Sequence, residues 1–112
     1  MKKLLSFCAL LTGMFAMQAV LADGNFEAGK QKAQVCAACH GANGISTSDQ
    51  FPILAGQYYD YLVQALHEYK DGARKNPIMG NMAAGLSDQD IKDLATYFST
   101  LPGPLHTLPR PD

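Results

Sequence analysis

The sequence predicts an all-α domain. Three segments repeat apolar residues at intervals of three and four, Gly and Pro punctuate the chain between them, and no stretch alternates with the period of two that a half-buried strand requires. The 112 residues are 47% apolar and 17% charged, within the range of a small globular domain.

Lys2 and Lys3 precede an apolar run from Leu4 to about Ala22, and Val20-Leu21-Ala22 supplies the small-residue exit of a secretory signal peptide. An uncleaved anchor is the rival reading, since a bilayer crossing needs ~20 apolar residues. Gly13 and Gln18 interrupt the run, and its exit favours cleavage, so residues 1–22, Cys8 included, are expected to be removed on export to the periplasm. The remainder divides into one domain over 23–101 and a Pro-rich tail over 102–112. The exported part holds seven Lys and Arg against ten Asp and Glu, a net charge of −3. That balance, without a basic tract, excludes a nucleic-acid partner. Nothing after residue 22 is apolar enough for stable membrane insertion.

The first helix is expected from about Phe26 to Ala38, with Phe26, Gly29, Ala33 and Cys36 on one narrow face, Asn25 as its cap and Gly41 as its stop. Small Gly29 and Ala33 allow another helix to come close. A turn follows over Gly41–Gly44, then polar Ile45–Gln50 and apolar Phe51–Gly56 without a clear period. The second helix is expected from about Gln57 to Lys70. Its stripe is Tyr58, Leu62, Leu66 and Tyr69, widened by Tyr59, Val63 and Ala65, and Gly72 supplies the stop. Ala73 to Gly85 reads as a loop. Ser87 caps the third helix, to about Thr100, with Asp90 closing a near capping box and Ile91, Leu94, Ala95 and Phe98 facing inward.

Cys36-Ala37-Ala38-Cys39-His40 carries the chemistry. C-x-x-C-H is the attachment signature of a c-type haem. Two thiols three residues apart on one helical turn can each add to a vinyl group on the same porphyrin edge, and His40 follows where its imidazole reaches the iron. One covalent haem c, held by Cys36 and Cys39 with His40 as axial ligand, is therefore expected. A thioether opposite would close the iron and raise its potential. Met79 and Met82 are the candidates, both in the segment read as a loop. Met79 is preferred because Pro77 stiffens its approach and Gly80 lets backbone pass close to a flat ring; Met82 is the fallback. The ordinary role of a methionine is core filling, but neither residue lies on a recognised amphipathic face.

With these motifs in place, the chain resembles the class I cytochromes c, in particular the small bacterial monohaem c-553 type or one half of a dihaem cytochrome c4. The likeness runs from about Asn25 to Leu101. It rests on Glu27-Ala28-Gly29-Lys30, the haem motif, Phe51-Pro52-Ile53-Leu54-Ala55-Gly56-Gln57, Asn76-Pro77-Ile78-Met79 and Leu86-Ser87-Asp88-Gln89-Asp90-Ile91. It implies three main helices wrapped around one haem. It implies that the first and last helices cross, with Gly29 and Ala33 admitting Leu94 or Phe98. It also implies that the Pro52 carbonyl accepts a hydrogen bond from His40, orienting the ring, and it favours Met79, seven residues before Leu86. Only one C-x-x-C-H is present, against two in a dihaem protein.

Zinc would require a second ligand pair, and only His67 and His106 remain. A redox dithiol belongs on a βαβ scaffold, which the helical pattern lacks. A haem enzyme needs an open iron, which Met79 would close. The expected function is single-electron transfer between periplasmic or membrane-bound redox proteins by a monomer that is not an enzyme; the alternative is a haem subunit of a larger periplasmic dehydrogenase. His67 and His106 are expected to be exposed or partly buried, and the Tyr58, Tyr59 and Tyr61 cluster to serve helix packing. Lys70, Arg74 and Lys75 form a basic patch suited to an acidic partner.

Overall fold

The computed structural model describes residues 24–105. The expected signal peptide and the tail beyond Leu105, His106 included, lie outside the described residues. Among these the regular elements are helical: α1 (Phe26–Lys32), a 3₁₀ turn (Ala33–Val35), α2 (Ala37–His40), α3 (Tyr59–Asp71), α4 (Pro77–Ala84) and α5 (Asp88–Thr100).

Asn25 caps α1, its side chain accepting the Ala28 N–H at 2.8 Å. The single helix expected to Ala38 is instead wound tighter at residues 33–35 and resumes as α2. Cys36 N–H reaches back three residues to the Ala33 carbonyl, and both Cys39 and His40 N–H groups point to the Cys36 carbonyl. Cys36 still packs against the buried cluster that Ala33 joins.

Helix α3 starts two residues later than expected. Tyr58 is its extended N-cap and is 57% exposed, so it does not belong to the buried stripe. Leu62 and Ala65 are buried, with Tyr59, Val63 and Leu66 packed against the core beside them. The segment read as a loop contains α4. Asn76-Pro77, within that expected loop, is a helix start: the Asn76 side chain accepts the Met79 N–H at 3.0 Å, and Pro77 sits in the first turn, where a missing N–H leaves no bond unmade. On α5 the capping box is complete, Ser87 Oγ accepting from Asp90 N–H at 3.0 Å and Asp90 Oδ2 from Ser87 N–H at 2.8 Å.

The core forms where α1 and the 3₁₀ turn cross α5, with α3 packed alongside. Ala33, Leu62, Leu94, Ala95, Tyr97 and Phe98 make one buried cluster. Ala33 meets that cluster as expected, but Gly29 faces different partners: a Cβ there would collide with the Asp93 carbonyl and the Tyr97 Cβ. Backbone itself touches backbone at the crossing.

Asp93 sits at this contact and is 2% exposed. It accepts the Asn25 N–H at 2.7 Å and Gln89 Nε2 at 2.9 Å, and it pairs with Lys32 Nζ, which also holds Asp90 at 2.9 Å. Burial alone would push the Asp93 carboxyl up, but the Asn25, Lys32 and Gln89 donors outweigh it and hold it below the usual carboxylate range. The Ser87 backbone N–H, then Lys32, bring Asp90 down to about 2. Hydrogen bonds to both carboxylates raise the Lys32 ammonium in turn.

Asp93→Ala should destabilise the haem-loaded protein by about 2 kcal/mol in urea denaturation, since it strips buried donors of their acceptor. Both carboxyls lose protons more readily folded than unfolded, so their contribution is complete above the ordinary value of 3.8 and vanishes as pH falls toward 2. The urea midpoint should be insensitive to these two groups above about pH 5 and fall below about pH 4, less steeply in Asp90→Asn.

Candidate functional site

The C-x-x-C-H segment places its three donors on the 3₁₀–α2 turn. Gly41 follows His40 with φ 84°, and a Cβ there would strike the Ile45 carbonyl, so the chain reverses directly after the imidazole. The Leu54 and Ala55 N–H groups both donate to the Gly44 carbonyl, at 2.8 and 3.0 Å, which folds the 51–55 segment back over the turn. Pro52 O then lies 2.8 Å from His40 Nδ1. A carbonyl can only accept, so Nδ1 is the donor in this pair and Nε2, on the far side of the ring, is the nitrogen left over for a metal. The ring is 6% exposed and meets Phe51 edge-on at 6.3 Å. This imidazole is oriented to bind a metal through Nε2.

Cys36 and Cys39 are half-buried and not bonded to each other. Burial, then the neighbouring Cys39, pushes the Cys36 thiol up, the reverse of the activated thiolate that a dithiol oxidoreductase needs. Met79 is half-buried and Met82 is 41% exposed. They are not the loop residues expected from the sequence; three positions apart on α4, they share a helix face. That face meets the cysteine turn. Cys36, Met79, Met82, Leu66, Leu86 and Leu94 line one hollow of about 40 Å³, with Val35 and Lys32 at its edge. Cys39 and His40 stand on the adjoining turn and Pro52 on the segment folded over it, and none of the three lines the hollow. A larger groove, about 280 Å³, runs past Lys30, Ala33, Gln34, Ala37, Tyr97 and Phe98 and contains none of the candidate donors. Donor chemistry, not volume, marks the site.

The donor set fits a haem c. Two thiols stand on one turn, an imidazole beside them offers a lone pair, and thioethers on another helix share an aliphatic hollow with the first thiol. It does not fit a simple ion: among the described residues no three His, Cys, Asp or Glu side chains are grouped to hold one. The βαβ scaffold of a dithiol oxidoreductase is likewise missing among them.

Several residues carry roles that sequence reasoning did not assign. Lys32 both pairs with Asp93 and lines the hollow. Lys70 Nζ donates to the Leu86 carbonyl at 2.6 Å. Arg74 lies 4.9 Å from the Tyr69 ring centre and donates to Tyr61 Oη at 3.2 Å. Two members of the supposed docking patch are therefore occupied within the fold. His67 is partly exposed, 3.9 Å from Asp88.

A family model described as cytochrome c matches residues 26–102. Cytochrome c4 of Pseudomonas aeruginosa is 44% identical over 100 residues, covering 89% of this chain and 49% of that protein. A thiosulfate dehydrogenase electron acceptor of Thiomonas intermedia is 39% identical over 92 residues, covering 77% of this chain and 44% of that protein. The crystal structure of reduced recombinant cytochrome c4 from Pseudomonas stutzeri superposes with a TM-score of 0.68 at 44% identity, covering 71% of this chain and 47% of that one. The chain thus spans about half the length of these relatives.

Because Asn76 caps the helix that bears both methionines, Asn76→Ala should cost about 1 kcal/mol. Amide hydrogen exchange at Met79 should accelerate while the α5 amides keep their wild-type rates.

Proposed function

The chain belongs to the cytochrome c family, whose cofactor is a covalently held haem c, and from that premise we propose that it carries single electrons between redox proteins. The observation that carries this reading is the hollow shared by Cys36, Met79 and Met82, next to an imidazole fixed by the Pro52 carbonyl. Bound haem supplies one thing: an iron that cycles between ferric and ferrous.

The chain's residues do the rest. Cys36 and Cys39 would hold the group on the α2 turn by two thioether links. His40 would bind the iron through Nε2 while Nδ1–H stays on Pro52, which orients the ring and raises its basicity. Met79 Sδ would be the second protein donor, more buried than Met82 and sprung from the capped first turn of α4. Leu66, Leu86 and Leu94 line the hollow with apolar surface, which would favour the less charged reduced state and raise the potential. With two protein donors on it, the iron would offer no site to substrate, and the chain would act as a carrier rather than a catalyst.

We place this activity in the periplasm, on the charged start, apolar run and small-residue exit of residues 1–22. One relative is named as the electron acceptor of thiosulfate dehydrogenase, which favours a second version of the reading: service to one dedicated dehydrogenase instead of several exchangeable partners. Co-purification with a catalytic subunit separates the two versions.

Purified protein from a host able to attach haem c should keep its colour on the polypeptide through acid–acetone extraction, and Cys36→Ala/Cys39→Ala should lose it. Met79→Ala should abolish the weak near-red iron–sulfur band of the ferric protein, whereas Met82→Leu should retain it. A band that survives Met79→Ala and disappears with Met82→Leu would reverse the assignment.

A further inference from the structure

Lys70 and Arg74, both bound within the fold, flank the helix that carries the methionines. Helix α4 has little apolar anchorage of its own: of its eight residues only Ala83 is buried, and Ile78 and Met82 are 56% and 41% exposed. At Gly80 the nearest atom to a Cβ would be the Tyr69 carbonyl at 3.9 Å, an ordinary contact and no interlock. Elements with so few buried contacts open first. Polar ties to α3 therefore decide how firmly α4 stays closed.

There is one such tie at each end. Before α4, the connection from α3 folds back on itself: Arg74 N–H donates to the Glu68 carbonyl at 3.0 Å, while the guanidinium stacks on Tyr69 and bonds Tyr61. After α4, Lys70 reaches across sixteen residues to the Leu86 carbonyl, beside the Leu86 side chain that lines the hollow. A charged donor on a partly buried carbonyl is among the stronger hydrogen bonds a protein makes.

We propose that Lys70 and Arg74 are positioning residues, a two-point buckle that holds α4 on α3 and sets how readily the Met79 sulfur leaves the iron. The inference rests on the reading that Met79 is the second axial donor. The buckle acts through α4, and neither of its residues lines the hollow that holds Met79. It also commits two members of the acidic-partner patch to bonds within the fold.

Imidazole is the probe, titrated into ferric holoprotein, because it binds only when the thioether has departed. Lys70→Met should bind imidazole about tenfold tighter than wild type, the loss of one charge-assisted hydrogen bond; Lys70→Arg, which keeps a donor of similar reach, should restore most of the difference. Arg74→Gln should tighten binding a few-fold. Asn25→Ala, a lost cap far from α4, should lower the far-UV unfolding midpoint without tightening imidazole. Wild-type imidazole affinity in Lys70→Met overturns the buckle, as does equal tightening in Asn25→Ala. If instead Met79→Ala keeps the iron–sulfur band, it is the ligand assignment that fails, and the two failures are told apart.

Discussion

The close approach of α1 and α5 at Gly29 is the constraint on which the remaining geometry depends. With no side chain at that point, the backbone of α1 rests on the Asp93 carbonyl and the flank of Tyr97. The distance between the two helices is then fixed by main-chain contact, which cannot repack. A buried carboxylate at the same place would ordinarily be a liability. Here Asp93 receives an N–H from the start of α1, an ammonium from its end and an amide from its own helix, so its lone pairs are used and its charge is answered. The clamp spans α1 from Asn25 to Lys32, and Lys32 stands at the edge of the hollow that holds Cys36. The crossing and the site are thereby one mechanical unit, with the 3₁₀ turn as the joint that aims the cysteines.

Much of this arrangement was legible in the sequence because it depends on local chemistry. The Asn25 cap, the Ser87–Asp90 box, the Gly41 stop and the C-x-x-C-H motif each depend on residues within a few positions of one another, and each lies where the pattern puts it. The errors have physical causes too. Asn76-Pro77 is ambiguous, because the pair that starts a turn also starts a helix, and eight residues containing a glycine give too little periodicity to decide. Tightening at residues 33–35 changes no residue type and leaves no trace in an apolar pattern. Tyr58 and Tyr61 match helical spacing yet face outward, since their neighbours Leu62 and Ala65 fill the available contact with α5.

Charge was the least legible property. A cation has no periodicity that tells a solvated side chain from a structural one, and its partner is commonly distant in sequence. Lys32 meets a carboxylate 61 residues away, and Lys70 meets a carbonyl sixteen away. Asp93 reads as one more polar position on an amphipathic helix, although it is among the most buried residues of the domain. A sequence reading therefore overstates how many charges are available to partners, and most so in a small domain where few long-range apolar contacts exist to do the tying.

The placement of the capped turn bears on the proposed chemistry. Electron transfer is fast when the ligands move little between oxidation states, and a ligand moves little when the backbone under it is already held. His40 meets that condition through Pro52. On α4 the Asn76 side chain holds the N–H of Met79, while Met82 lies a turn further along on the more exposed stretch. Asn76 thus does for the thioether side what Pro52 does for the imidazole side: it fixes the peptide from which the donor springs, independently of the metal. Both anchors are backbone-directed hydrogen bonds from short, local segments. On the proposed reading, rigidity would then lie next to the iron, and the polar ties of α4 to α3 would govern the slower event of ligand loss.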